Sequence, residues 1–139
     1  AQQAAQRQRA LGDQRGLSET LTNLGAMYQL RGELEPALRC LQESLEIEIR
    51  LGNRLGIARG LCNIGEVLML KNEPLSAARY FISAMQLFQQ YGSPDYDYAN
   101  TMLQQLPLPL DTLERLMHDS QNRALEDLLQ WAQSVVLYN

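Results

Sequence analysis

The feature that most constrains this sequence is an internal repeat with a period of 40 residues. Residues 12–51 align with residues 52–91 without a gap, and identical residues recur along the whole alignment. The identical pairs are Gly12/Gly52, Gly16/Gly56, Leu21/Leu61, Asn23/Asn63, Gly25/Gly65, Leu30/Leu70, Glu33/Glu73, Ala37/Ala77 and Arg39/Arg79. Because such a repeat is one supersecondary unit that buries its apolar face on its neighbours, the sequence predicts a chain of stacked units.

Each unit reads as two amphipathic helices. In the first helix, apolar residues and a glycine recur at spacings i, i+3, i+4 and i+7, as at Leu21, Leu24, Gly25 and Tyr28. A glycine in mid-helix is unfavourable by about 1 kcal/mol relative to alanine, so its repetition at Gly65 predicts a close helix crossing at both positions.

Local signals mark where these helices begin and end. Gly32 and Asn72 occupy equivalent positions after the first helix and predict left-handed C-terminal caps. Pro36 and Pro74 fall in the first turn of the second helix, where proline is tolerated. The second helix then carries apolar residues that must pack on the first helix and on a neighbouring unit.

The repeat also divides the chain. Residues 1–11 align with the end of a preceding unit, 12–51 and 52–91 are full units, and 92–106 start a third. Pro107 and Pro109 then end the pattern near Leu106, since proline removes a backbone donor and disfavours helix in the preceding residue. Residues 107–139 are predicted to be a degenerate last repeat and a capping helix. An alternative is an amphipathic helix that docks on another chain or on a longer protein.

The terminal segment carries two helix signals. Asp111-Thr112-Leu113-Glu114 reads as a capping box and predicts a short helix to about His118. A longer helix is predicted from Ser120 to about Leu137. Its apolar face comprises Leu125, Leu128, Leu129, Ala132, Val135 and Val136, and its polar face Glu126, Asp127, Gln130 and Gln133. A polar outer face suits the end of a repeat array.

The two units together resemble the tetratricopeptide repeat. The resemblance covers residues 1–106 and rests on Leu21-x-x-Leu24-Gly25-x-x-Tyr28 followed by Ala37, Leu41 and Ser44, and on their equivalents 40 residues later. It implies an all-α fold, a right-handed α-α superhelix or solenoid, here with a C-terminal capping helix. The 40-residue period and the Asn-Leu/Ile-Gly cores are similar to the branch that includes kinesin light chains, spindle-orientation adaptors and sensor arrays of bacterial signalling ATPases.

Composition narrows the class of function. The chain has 139 residues, and 12 Lys and Arg against 16 Asp and Glu give a net charge of -4, the wrong sign for phosphate contacts, so no nucleic-acid partner is predicted. No apolar run is long enough to cross a bilayer, and no membrane partner is predicted. Cys40 and Cys62 lie in no CxxC pattern and favour a reducing, cytoplasmic setting. The start lacks Met and a signal peptide, so we expect a fragment of a longer chain.

The sequence offers little for catalysis. His118 is the one histidine and lies far from both cysteines in sequence, so no nucleophile–base arrangement is predicted. The glycine pairs at 12/16 and 52/56 lack the Lys-Ser/Thr of a phosphate loop and read as repeat linkers. No metal-ligand motif appears. We therefore expect no enzyme, no cofactor and no metal.

A binding surface is better supported. If Leu21, Leu24, Gly25 and Tyr28 face the second helix, the first helix of each unit leaves its other sides open. In the tetratricopeptide family these positions line a concave groove that binds proteins or extended peptides. The candidate ligand-binding residues are Glu19, Thr22, Asn23, Ala26, Gln29, Arg59, Cys62, Asn63, Glu66 and Met69.

Among these residues, Asn23 and Asn63 have two interpretations. They match the positions where the resemblance implies asparagines that grip a peptide backbone, and they also suit a hydrogen bond between adjacent units. Arg59 would select an acidic ligand. Ala26 and Glu66 stand where chaperone-binding relatives carry asparagine, which argues against a carboxylate clamp.

Two other functions remain open. The segment is alternatively the sensor or regulatory part of a larger signalling ATPase or transcription regulator. It is also a candidate self-association module that forms homo-oligomers.

Overall fold

The computed structural model describes residues 2–137 of the chain, and in this range the ordered elements are helices. They are α1 (Gln2–Leu30), α2 (Leu34–Leu51), α3 (Arg54–Leu70), α4 (Pro74–Gln90), α5 (Asp95–Gln104), α6 (Leu110–Ser120) and α7 (Leu125–Leu137). None of them, within the described residues, is long and apolar enough to span a membrane. The all-α helical-repeat fold is confirmed.

The predicted helix ends are confirmed where the repeat placed them. Gly32 and Asn72 follow α1 and α3 with φ of 76° and 62°, the left-handed conformation expected of C-terminal caps. Gly52 caps α2 in the same way, with φ of 68°. Pro74 is the first residue of α4, where its missing N–H removes no helical hydrogen bond.

The chain forms two compact units, and the boundary falls inside α3, between Gly60 and Leu61. In the first unit α1 packs on α2. A Cβ placed on Gly25 would lie 2.8 Å from the Leu41 side chain, so this glycine marks a close crossing. Leu21, about one turn before Gly25 on α1, is also buried.

In the second unit α4 is the central helix and packs against α5, α6 and α7. A Cβ placed on Gly65 would lie 2.9 Å from the Phe81 ring, which makes this the second close crossing that the repeat predicts. The polar face predicted for the last helix, Glu126, Asp127, Gln130 and Gln133, is exposed. Val135 and Val136 lie outside the residues whose side chains are described.

The linker predicted at Gly12–Gly16 is wrong. The chain stays helical through both glycines, and α1 begins at Gln2. Gly52, the equivalent of Gly12, does end a helix. The difference has a local cause, because Ala, Gln and Arg dominate residues 2–10 and are strong helix formers.

The terminal segment also differs from its prediction. Helix α6 begins at Leu110 after Pro109, which makes no side-chain cap, so the capping box expected at Asp111 is wrong. The last helix begins at Leu125 rather than Ser120. Asn122 takes a left-handed conformation with φ of 63° between the two helices, and this turn separates them.

Candidate functional site

Helix α1 displays three of its five predicted binding residues. Glu19, Asn23 and Ala26 are exposed, and Gln29 is half-buried. Glu19, Asn23 and Ala26 lie about 100° or more around the helix from Gly25, on a side of α1 that turns away from α2. An amide, a carboxylate and a small apolar side chain are therefore open along this side of the helix.

Thr22, the fifth predicted residue on α1, is instead part of the contact with α2. Its hydroxyl donates to the Ser18 carbonyl oxygen at 2.9 Å and lies 2.9 Å from the Ser44 hydroxyl. Ser18 and Ser44 are buried and hydrogen-bonded at 2.9 Å, and Ser18 also donates to Glu48 Oε1 at 2.7 Å. These polar groups hydrogen-bond to one another inside the helix pair. The Thr22 hydroxyl is therefore engaged in the contact between α1 and α2.

Leu24 and Tyr28, in contrast to Thr22, are more exposed than predicted. Both were predicted to face α2, yet Leu24 is 38% exposed and Tyr28 is half-buried. The reason is geometric, because Ser18, Leu21 and Gly25 define the side of α1 that meets α2. Leu24 lies about 100° around the helix from Gly25.

Helix α3 presents its predicted residues to different extents. Arg59 is exposed, and Asn63, Glu66 and Met69 are half-buried. Cys62 is 4% exposed, so its thiol is not displayed for a ligand. Burial, reinforced by the nearby Glu66 and Asp95 carboxylates, raises the pKa of the Cys62 thiol to about 12. This thiol is a packed side chain.

The second unit brings Tyr98 of α5 next to Glu66 of α3. The Tyr98 hydroxyl donates a hydrogen bond to Glu66 Oε1, while 52% of the tyrosine remains exposed. The hydrogen bond to the carboxylate, with burial as a second cause, raises the pKa of Tyr98 to about 12. The pair therefore combines an oriented carboxylate with an open aromatic ring.

Sequence reasoning included Glu66 and missed Tyr98. The two residues are 32 positions apart, and no repeat position links them. The available signal was weak: Tyr98 is an aromatic residue on the predicted first helix of the third unit, where an outward side chain can reach the preceding first helix.

The exposed parts of α3 and α5 around Glu66 and Tyr98 are suited to binding a ligand through hydrogen bonds and apolar contacts. Glu66 accepts hydrogen bonds, Asn63 both donates and accepts them, and Met69 and Tyr98 offer apolar surface. Among the residues that the structure describes, no three His, Cys, Asp or Glu side chains converge as metal ligands.

The paired helices, the glycine crossings and the left-handed caps define a helical-repeat protein. Residues 17–53, from the middle of α1 to the cap of α2, match the family model of the tetratricopeptide repeat. This match shows that residues 17–53 are similar to the tetratricopeptide repeat, a repeat that generally acts as a protein-interaction scaffold. No curated protein and no solved structure matches the chain significantly.

Proposed function

We propose that this chain binds a protein segment in extended conformation through the open sides of its first helices. The observation that carries the proposal is the surface formed by Asn63, Glu66 and Met69 of α3 with Tyr98 of α5. We call these four residues the α3–α5 surface. A hydrogen-bonding amide, an oriented carboxylate and an exposed aromatic ring lie there on rigid helices.

The chemistry of the α3–α5 surface fits a peptide backbone. An extended chain presents alternating N–H and C=O groups, and the Asn63 amide is able to pair with one of each. The Tyr98 ring gives a large apolar contact with few rotatable bonds, so little side-chain entropy is lost on binding. Glu66 would accept a backbone or side-chain N–H of the ligand.

Helix α1 offers a second place for the same kind of contact. Asn23 is exposed there with Glu19 and Ala26 beside it on the helix. Arg59, which is also exposed, would pair with an acidic side chain of the ligand. We propose an acidic residue in the peptide for this reason, and its contribution to affinity should weaken with salt.

The proposal is tested with a ligand selected from a peptide array and titrated against purified variants. Truncating Asn63 to alanine should weaken binding by about 0.5–1.5 kcal/mol for each lost hydrogen bond. Tyr98→Phe removes only the hydroxyl and frees Glu66, whereas Tyr98→Ala also removes the ring and should weaken binding more.

Glu114→Ala on α6 is the matched control, because it removes an exposed glutamate on a different helix. The Glu114→Ala variant should bind the selected peptide with the same affinity as the parent. Circular dichroism of each variant separates folding from binding. If Asn63→Ala unfolds the protein while binding per folded molecule is unchanged, Asn63 is structural and the proposal loses its main contact.

Three finer assignments belong to the same proposal. The 40-residue period supports a place in the branch of kinesin light chains and signalling-ATPase sensor arrays. Cys40 and Cys62, which are free thiols, support a cytoplasmic setting. A scaffold role without catalysis is supported by the family match and by the absence of a catalytic motif in the sequence.

A further inference from the structure

The Glu66 carboxylate lies in the middle of the α3–α5 surface and is half-buried, so part of its hydration is already lost. Two other carboxylates of the second unit are paired with a basic side chain. Glu73 lies 3.8 Å from Lys71 Nζ, and Asp127 lies 3.0 Å from Arg123 Nη1. Among the described residues, no basic side chain forms an ion pair of this kind with Glu66. A cation supplied by a partner would therefore complete this carboxylate.

Glu66 has one oxygen in use and one open. The Tyr98 hydroxyl donates to Oε1, and within the described part of the chain Oε2 accepts no hydrogen bond. The phenol is uncharged at neutral pH, since the hydrogen bond to Glu66, with burial as a second cause, raises the pKa of Tyr98 to about 12. A carboxylate has lone pairs on both oxygens and accepts from two donors at once. Tyr98 therefore orients the carboxylate and leaves its negative charge available to a partner.

The Tyr98 ring is held beside this carboxylate by its own hydroxyl. The residue is 52% exposed, so a large part of the ring is open to a ligand. A cation over the face of a tyrosine ring is attracted by the quadrupole of the ring. Arginine suits both groups at once, because its planar guanidinium stacks on an aromatic face while its N–H groups donate to a carboxylate. A lysine ammonium is a compact, strongly hydrated charge without a planar face.

Arg123 of the second unit already makes both contacts with groups of its own chain. Its Cζ atom lies 5.7 Å from the centre of the Trp131 ring. The same guanidinium donates through Nη1 to Asp127 Oδ2 at 3.0 Å. This protein therefore holds an arginine between an aromatic ring and a carboxylate. Glu66 and Tyr98 provide the same two groups on the α3–α5 surface.

The charge around the α3–α5 surface also favours a cation. Residues 61–70 of α3 and the whole of α5 contain Glu66, Asp95 and Asp97 but no Lys, Arg or His. Glu66 and Asp95 both act on the Cys62 thiol, where they add to burial in raising its pKa. The two carboxylates are therefore close to the same point. A cationic side chain of a ligand is attracted to such a surface, and an anionic one is repelled.

We propose that the protein segment bound at the α3–α5 surface presents an arginine, whose guanidinium donates to Glu66 Oε2 and stacks on the Tyr98 ring. Met69, three residues after Glu66 on the same side of α3, covers part of the methylene stem of that arginine. The arginine proposal rests on the proposed function, because it uses the same surface, and it adds the residue type that this surface selects. The arginine is a different position of the ligand from the acidic residue expected at Arg59.

A small probe tests the arginine site without a selected peptide. N-acetylarginine N-methylamide is titrated into isotope-labelled protein, and backbone amide shifts are followed by NMR. The shifts should concentrate in residues 61–70 of α3 and in α5. The citrulline analogue has the same shape without the charge, and it should bind about fivefold or more weakly. Glu66→Gln should abolish this preference, whereas Glu114→Gln, which changes an exposed glutamate on α6, should retain it.

The peptide selected on the array tests the same contact in a full ligand. Its arginines are replaced one at a time by citrulline, and one replacement should weaken affinity for the parent chain by about tenfold. The same replacement should have little effect on affinity for Glu66→Gln, where the pairing partner is gone. Lysine at that position, or Tyr98→Leu in the protein, should weaken binding by about threefold, because the stacking is lost. Tyr98→Phe keeps the ring and should not weaken it.

The outcomes separate the arginine proposal from the proposed function. If Asn63→Ala weakens the selected peptide but no citrulline replacement does, the segment binds without an arginine, and only the arginine proposal is refuted. If Asn63→Ala, Glu66→Gln and Tyr98→Leu all leave the affinity unchanged, the peptide binds elsewhere and both proposals fail. Lysine that binds as tightly as arginine would refute the stacking on Tyr98.

Folding and the choice of peptide do not decide the result. Glu66→Gln keeps the size of the side chain and an acceptor for the Tyr98 hydroxyl, so circular dichroism should show it folded. If it is unfolded, the comparison of arginine with citrulline on the parent chain still decides. If the array retains no peptide, the small probes decide in the same way. Equal binding of the arginine and citrulline probes would refute the arginine site.

Discussion

The Arg79 guanidinium lies over the indole of Trp131, with its Cζ atom 4.9 Å from the centre of the ring. The same guanidinium donates through Nη1 to the Trp131 carbonyl oxygen at 3.1 Å and to the Ser134 hydroxyl at 2.7 Å. Burial lowers the pKa of Arg79, which reflects its partial removal from water. This residue therefore joins α4 to α7 by stacking and by two hydrogen bonds within the second unit.

Trp131→Ala should be strongly destabilising. The indole is 7% exposed, and its removal leaves a cavity between α4 and α7 and takes the stacking surface from Arg79. Truncations of this kind lower the free energy of unfolding by about 3–5 kcal/mol. Urea denaturation followed by circular dichroism measures the loss. Gln130→Ala, an exposed neighbour on α7, should stay within about 0.5 kcal/mol of the parent.

The two kinds of helical glycine should respond in opposite ways to a larger side chain. Gly65→Leu drives carbon atoms into the Phe81 ring and should lower the free energy of unfolding by about 1–3 kcal/mol. Gly16→Ala meets no atom within 4 Å and should raise it by up to about 1 kcal/mol through helix propensity. Thermal melts that show Gly65→Leu as stable as the parent would contradict a close crossing there.

The left-handed caps should discriminate between glycine and alanine. Gly52→Ala introduces a Cβ at φ of 68° and should be destabilising by about 1–2 kcal/mol, although open space surrounds it. Asn72→Gly occupies φ of 62° without that penalty and should retain or increase stability. Differential scanning calorimetry of both variants checks the order; equal losses for the two would argue against cap strain.

Alkaline pH should destabilise the second unit through Tyr98. Its pKa rises from an unfolded value near 10 to about 12 because it donates to Glu66. Between those values the folded chain keeps a proton that the unfolded chain has released. The contribution of the Tyr98 hydroxyl to the free energy of unfolding is therefore fully present below about pH 10. It is lost as the pH rises toward 12.

Tyr98→Phe removes this contribution, so its stability should fall less than that of the parent between about pH 9.5 and 11.5. Urea denaturation at several pH values measures the difference in slope. Tyr91→Phe changes an exposed tyrosine after α4 and is the control, expected to follow the parent. If the free energy of unfolding of Tyr98→Phe and of the parent falls with pH at the same slope, the hydrogen bond to Glu66 does not stabilise the folded chain.

The sequence determined the helix pairs of the two full repeats and those helix ends that a left-handed cap or a proline marks, although it misplaced the start of the first helix and of the last one. Amphipathic spacing, the cap positions Gly32 and Asn72 and the proline at Pro74 act through the backbone of a few neighbouring residues. Such signals can be recognised in the sequence without knowing the rest of the fold. The close crossings at Gly25 and Gly65 were also legible, because only a packing demand explains a repeated glycine in mid-helix.

Tertiary packing decided which side chains stay open. A 3.6-residue period fixes the apolar stripe only to within one residue around the helix, and the partner helix selects its centre. Contact with α2 thus took Thr22 into the interface and left Leu24 outside. The pairing of Tyr98 with Glu66 joins residues 32 positions apart, so it exists only once the tertiary structure has brought α5 next to α3.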